Sequence, residues 1–300
     1  MNVRDFLLMA AICFVWGLNF VVTRWVVTDG GLSPLFFAGI RFLGAALVLL
    51  PFLRPVPNNL RTLFAIAMGV GAFNFALMFV GLAHAEASAV SVVAQLVVPF
   101  MTIMSVVFLG EQVGWKRGSG IVLAILGTAL IAFDPVTFKL STGLIFVALA
   151  ALFASGASIL MKRIPPMGTL QMQAWIGLFS FAPLFVVSSV FEQEHNSVSA
   201  LLNGGWPVWL AVVFVVLMVS VFAQGLYYNL IKKYDVSLVS PLTLMAPIWG
   251  VILGIALLGE TPTPQLVCGA AISLVGVFII LIRPSRAPQA VTVENKAINE

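Results

Sequence analysis

Apolar runs of about 20 residues, the length a helix needs to cross about 30 Å of hydrocarbon, can be laid end to end from Phe6 to Ile282. That feature removes most fold classes. With 61% of 300 residues hydrophobic, 9% charged and a mean hydropathy of +1.10, the chain cannot clothe a water-soluble surface, where about a quarter of residues are Asp, Glu, Lys or Arg. Barrel strands would alternate polar and apolar over about 10 residues, and these runs do not. An all-α integral membrane protein is therefore expected, with the lipid bilayer as its solvent. The net charge of +4 and pI near 9.3 would suggest nucleic acid for a soluble protein. Here the basic residues sit in short loops, where membrane topology explains them.

Ten spans fit the runs, at residues 6–27, 34–53, 61–82, 87–109, 115–133, 142–161, 170–190, 206–231, 237–258 and 264–282. The connections hold turn-formers such as Asp29-Gly30-Gly31, Asp134-Pro135 and Thr261-Pro262-Thr263-Pro264, and leave no room for a soluble domain. The first run continues unbroken to Val27 without a convincing cleavage site, so it reads as a retained helix rather than a signal peptide. Lys and Arg are retained on the cytoplasmic side. With the N-terminus inside, twelve of them fall on the cytoplasmic segments, only Arg24 and Lys139 on the opposite side, and Arg41 inside a span. Both termini are expected in the cytoplasm, in a bacterial inner membrane. Residues 284–300 are polar and unpatterned and read as a disordered tail.

The chain is built twice. Residues 88–133 hold an apolar helix with Ser88, Ser91, Gln95, Pro99 and Thr102, then Leu109-Gly110-Glu111, then an apolar helix marked by Gly120 and Gly127. Residues 237–281 repeat the device with Ser237, Ser240, Thr243, Pro247, Leu258-Gly259-Glu260, Gly269 and Gly276. From the Gly-Glu pair onward the offset is constant at 149 residues. The proline breaks that register, since Pro99 lies one residue closer to Glu111 than Pro247 lies to Glu260. Five spans per copy, an odd number, force the second copy to enter from the opposite face. The loop charges agree: Glu111 is followed by Lys116 and Arg117, Glu260 by no base, and the Lys-free loop at His84 and Glu86 answers to the Lys232-Lys233 loop. The expected architecture is ten transmembrane helices in two inverted five-helix repeats, at 1–137 and 138–283.

Ten spans in two inverted halves, a Trp-Gly-x-Asn pattern at Trp16, Gly17 and Asn19, and Pro followed by Gly-Glu at the ends of spans 4 and 9 resemble the drug/metabolite transporter superfamily, in particular its EamA-type members. The resemblance covers residues 6–282. Within that superfamily the overall pattern is closest to the bacterial aromatic amino acid exporters of the YddG type. The resemblance implies a carrier for a small molecule.

Arg41 is the only formal charge well inside a span. A central Arg costs about 2.5 to 3.5 kcal/mol on insertion scales, so it should face the bundle interior or a wet cavity. There it either attracts a substrate carboxylate or serves structure, by tying carbonyls of a neighbouring helix or reaching outward along its stem. Trp16, Asn19 and Thr23 share one face of span 1, and Ser155, Ser158 and Lys162 share the equivalent face of span 6. Paired polar faces suit a site at the repeat interface, although small polar residues also serve as glue between helices. Asn74, Gln95, Gln224, Tyr228, Ser240 and Thr243 are further mid-span polar groups, each needing protein or water as a partner. Trp175 and Gln173 of span 7 join them. Deep aromatic rings would favour an apolar or aromatic solute.

Other features read as structural. Cys13 and Cys268 lack metal or redox spacing and read as packing residues. Glu111 and Glu260 sit at helix ends, where capping, or pairing of Glu111 with Lys116 or Arg117, gives a structural or gate-stabilising role. Gly120, Gly127, Gly269 and Gly276 suit close packing of spans 5 and 10, either within one chain or across a homodimer contact. No span centre offers Asp or Glu as a proton relay, which points to facilitated export or to coupling through end groups such as Glu86 or His84. No cofactor, metal site or nucleic-acid partner is implied, and no hydrolytic motif such as HExxH is present. The expected function is export of small neutral, mainly aromatic, amino acids or related metabolites by alternating access around a central cavity. Rival readings are export of other amino acids, amphipathic drugs or sugar conjugates, a channel, and a membrane-embedded enzyme.

Overall fold

The computed structural model describes residues 1–134, 139–162, 164–165, 167–192, 197–234 and 236–282. The side chains of Asp134, Lys139, Tyr228, Lys232, Val236 and Ser237 fall outside that description, as does the whole of 283–300, where the tail was expected. Among the described residues, nine helices are long and apolar enough to cross a membrane: α1 (Val3–Thr28), α3 (Leu60–His84), α4 (Ala87–Leu109), α5 (Trp115–Ala132), α6 (Thr142–Met161), α7 (Thr169–Phe191), α8 (Gly205–Ile231), α9 (Leu238–Leu258) and α10 (Pro264–Leu281). The shorter α2 (Pro34–Val48) completes the set. The protein is an all-α, multi-pass membrane protein, with a two-residue antiparallel pair, Phe133–Asp134 with Lys139–Leu140, closing the α5–α6 connection.

Span 2 differs from its expected single helix. Its 15 α-helical residues rise about 22 Å, and a 3-10 turn over Leu50–Leu53 carries the chain onward. Pro51 is the cause, because its nitrogen has no hydrogen to continue the α ladder. Prolines shape α4 and α9 in the same way. Pro99 cannot donate to the Gln95 carbonyl, nor Pro247 to that of Thr243. Just there α4 tightens to a 3-10 turn over Ala94–Leu96, and α9 turns at Thr243 and Leu244 between Val236–Leu242 and Met245–Leu258. Counting back from the prolines pairs Gln95 with Thr243, so the one-residue slip in the repeat is taken up by the kinks. Helices α3 and α8 widen to π geometry over Ala67–Phe73 and Phe214–Ala223. The carbonyls this loosens are met by hydroxyls: Ser180 donates to Ala67 O at 3.0 Å and Ser220 to Val215 O at 2.9 Å.

Helix α1 packs along α9, α2 along α7, α3 along α6, and α5 along α10. The last pair is a backbone contact. A Cβ on Gly127 would lie 2.6 Å from Gly269 O, and one on Gly276 2.6 Å from Gly120 O. The four glycines therefore meet within the chain, the first of the two expected arrangements. Thr128 and Ser273 join hydroxyls across the same seam at 3.2 Å. The opposite faces of these helices expose Val122, Leu126, Val267, Val275 and Phe278, as lipid contact requires. Cys13 is buried and Cys268 is exposed, so only the first is the packing residue expected of both.

The helix ends sort by charge. One end gathers Arg4, Arg54, Arg61, Lys116 and Lys162, and the other Glu86, Glu192 and Glu260. At this acidic end Glu192 accepts from the N–H groups of Leu35 and Phe36 at the start of α2, at 2.8 and 3.1 Å. Arg24 donates to Leu82 O, and Ser33 meets Ser197 at 2.6 Å. At the basic end Asp5 holds Lys233 at 2.5 Å and the Tyr234 hydroxyl at 2.7 Å.

Candidate functional site: a cavity among six helices

The kinked and widened helices converge on a cavity of about 320 Å³ at mid-depth, with walls from α1, α2, α3, α4, α8 and α9. Seven of the residues expected at a site line it: Trp16, Asn19, Arg41, Asn74, Gln95, Gln224 and Thr243. Local backbone geometry explains why four of these point inward. Gln95 and Thr243 stand at the proline kinks. Asn74 and Gln224 are the residues directly after the two π segments. The N–H of Asn74 bonds back five residues to Gly69 O, and its side chain donates to Val70 O at 3.2 Å.

Arg41 dominates the cavity. It is 7% exposed, so it does not reach out to lipid headgroups. Its Nε donates to the Ser220 hydroxyl at 3.1 Å, and its guanidinium carbon lies 4.3 Å from the centre of the Phe75 ring, a cation–π contact. Nη1 is buried without a hydrogen-bond partner, and among the described residues no carboxylate forms an ion pair with Arg41. The Oδ1 of Asn19, a residue 9% exposed, is likewise buried without a partner. Such groups are ordinarily satisfied; Thr23, Ser88, Arg117 and Trp175 also hold buried polar atoms without a partner, but of these residues only Arg41 and Asn19 line the cavity.

The other expected residues lie elsewhere. Ser158 donates to Ala154 O at 2.7 Å along its own helix. Trp175 is buried with its ring 5.3 Å from that of Phe179, outside the cavity wall. The carbonyl of Ser240 accepts from Thr243 Oγ1 at 2.6 Å, and Ser240 is not in the wall. The Tyr228 side chain lies outside the described residues. On the paired face of α6, Ser155 bonds Val97 O of α4 at 3.0 Å, the helix-glue reading of that serine. The sequence reading missed the aromatic wall, Phe20, Phe75 and Phe79 with Met78 and Leu82, and missed Ser220. Among so many phenylalanines nothing in composition singles these out. The one usable signal was spacing, since Phe75 and Phe79, and likewise Asn74 and Met78, are four residues apart and so neighbours on a helix. Two larger hollows, of about 510 and 570 Å³, open at the basic end around residues 52–59 and 164–171. Neither contains any of the expected residues.

A multi-pass helical bundle, with a mostly apolar hollow and a few polar residues in its wall, is the build of a small-molecule transporter. The match to family models agrees, over residues 5–133 and 141–282, with the EamA-like transporter family. The chain belongs to that family, within the drug/metabolite transporter superfamily. Over 288 residues it is 28% identical to a probable amino-acid metabolite efflux pump of Escherichia coli K12, covering 93% of this chain and 95% of the relative. It is 25% identical over 258 residues to a biotin transporter of Salmonella typhimurium, covering 83% and 84%. A protein crystal structure superposes at a TM-score of 0.60 and 19% identity over 93% of this chain and 96% of its own, a likeness of fold.

Proposed function

We propose that the protein is an inner-membrane carrier that exports small neutral amino acids, aromatic ones foremost, by alternating access around the cavity at Arg41. One observation carries this reading: Arg41, a buried cation with no ion-paired carboxylate among the described residues, and Asn19 line the same hollow as Trp16, Phe20, Phe75 and Phe79. A carboxylate would meet Arg41, an ammonium group the carbonyl of Asn19, and an aromatic side chain the phenyl wall. Gln95, Asn74, Gln224 and Thr243 would fix orientation. The efflux-pump relative, named for amino-acid metabolites, supports the solute class. A lone cation in the cavity argues against cationic drugs as the main cargo.

The carrier is two inverted five-helix halves, 1–137 and 138–283, with both termini cytoplasmic. Support comes from the constant 149-residue offset, the matched π segments and the two-fold match to the family model. The helix partnerships also exchange as an inverted repeat requires: α1 with α9 answers α6 with α4, and α3 with α6 answers α8 with α1. The test is proteoliposomes loaded with unlabelled phenylalanine and offered labelled phenylalanine, with and without a pH gradient. Saturable counterflow is expected. Uptake no greater than in empty vesicles would overturn the solute assignment, and flux that neither saturates nor exchanges would indicate a pore.

A further inference from the structure

The carrier reading requires two gates, and the second-half Gly-Glu motif lies on one of them. We infer that Glu260 is a releasable latch that holds the acidic end shut, and that Glu111 is its counterpart at the basic end, parked on Lys162 while that end is open. The inference rests on the alternating-access reading but not on the solute.

The carboxylate of Glu260 spans two successive backbone donors at the start of α4, Oε1 to the N–H of Ala87 at 2.6 Å and Oε2 to that of Ser88 at 2.9 Å. The motif sits beyond the end of α9, so these bonds tie the second half of the chain to the first. Around the latch the two helices are in close contact. The segment Met245–Leu258 runs along Ala87–Val93, and a Cβ on Gly250 would lie 2.6 Å from the Ser91 hydroxyl oxygen. Gly254 leaves the space that the folded-back carboxylate of Glu260 fills, since a Cβ there would collide with Oε2.

At the basic end the same motif has the same backbone and a different partner. Gly110 and Gly259 are both left-handed, at φ 66°, and Glu111 and Glu260 donate their N–H groups to Ser105 O and Gly254 O, each at 3.3 Å. The side chain of Glu111, however, meets Lys162 Nζ at 3.0 Å. The remainder of α4, Val97–Leu109, lies along α6, while the first segment of α9, Val236–Leu242, packs on α8 and α10. The α4–α9 pair is thus joined at the acidic end and parted at the basic one. The segments Ala87–Val93 and Val236–Leu242 answer each other ahead of the two kinks, so Val236 and Ser237 hold the place in the second that Ala87 and Ser88 hold in the first. In the reverse conformation Glu111 leaves Lys162 for those N–H groups, and Glu260 lets go of α4.

The test follows solvent access to the cavity from each side, and needs no solute. In a Cys13→Ala, Cys268→Ala background, a Met78→Cys reporter on the cavity wall is labelled with a membrane-impermeant maleimide in vesicles of both orientations. Glu260→Gln and Gly254→Ala, the second of which displaces the carboxylate without removing it, should each raise labelling from the acidic end about tenfold, the scale of losing a charge-assisted bond. Lys162→Gln removes the ion pair that holds Glu111 in its parked position and should lower labelling from the basic end. Unchanged labelling from the acidic end in the folded variants would overturn the inference, and so would an equal rise from both ends, which is general loosening. Should Glu260→Gln not accumulate as folded protein, Gly254→Ala and the half-exposed Lys162 site decide the matter.

Discussion

Arg41 makes a single side-chain hydrogen bond and one ring contact, and its Nη1 is buried without a partner in a residue that lines the cavity. Its replacement by Gln should therefore leave the fold intact while raising KM for an amino acid about tenfold to a hundredfold, the scale of one or two hydrogen bonds to a charged group. Flux against concentration, alongside the yield of monodisperse protein, separates that outcome from a structural role, for which folded protein would be lost. Arg41→Lys should recover little, because an ammonium group cannot both hold Ser220 and present a planar fork. Glu86 offers a prediction of a different kind. Burial, and then the neighbouring Glu260 carboxylate, push its carboxyl above the usual 4.5, against the pull of Arg24. The neutral form is thus the one the closed acidic end favours. Closure should weaken as pH rises through the elevated value, where ionised Glu86 repels Glu260. Acidic-end labelling of the Met78→Cys reporter should rise over that interval, and Glu86→Gln should flatten the profile.

At the scale of elements, the seam of α5 and α10 is bound by the space its glycines leave. A Cβ at Gly276 would collide with the backbone of Ala124, which cannot swing aside as a side chain could. Gly276→Ala should therefore destabilise the protein by about 1 to 3 kcal/mol, read as a lower thermal midpoint in detergent, whereas Gly118→Ala, with nothing within 4 Å of the added carbon, should not. Much at this scale was legible in the sequence. Glycines at matching offsets announce close packing, and prolines announce kinks, because each acts through its own covalent structure. The π segments were not legible. Val, Leu, Ala and Phe suit α and π geometry alike, and the choice between them is made by neighbouring helices that a local pattern does not reveal. Seven of the residues singled out from the sequence line the cavity, because a polar group in hydrocarbon must turn inward, whatever the details. Ser158, Ser240 and Trp175 obey the same rule by facing protein instead, and the sequence has no means of separating the two destinations.

For the whole molecule, the distribution of charge makes the firmest forecast. If the basic end is cytoplasmic, reporter fusions after Asn58 and in the 163–168 connection should be active only as cytoplasmic reporters, and a fusion in the 193–196 connection only as an exported one. The reverse pattern would invert the assignment of import and export. On the two-half reading proposed above, the cavity draws its wall from both halves. Arg41 and Ser220 meet across 179 positions of sequence, and a separately expressed half would carry only part of the polar wall. Co-expressed halves, cut within the short connection between α5 and α6, should regain phenylalanine flux that neither half supports.

The widened turns of α3 and α8 have a consequence for how such a chain tolerates insertions and deletions. A π turn holds more residues than the α turn it replaces, so each segment carries surplus length that it can surrender. Removing one residue between Ala67 and Phe73 would let α3 wind as an ordinary helix over the same distance, and the cavity residues beyond would keep their bearing. A deletion elsewhere in α3 would turn everything past it by about 100°. Asn74 would then face away from Arg41, so among single deletions in that helix those in the widened turn should be the ones a functional screen recovers.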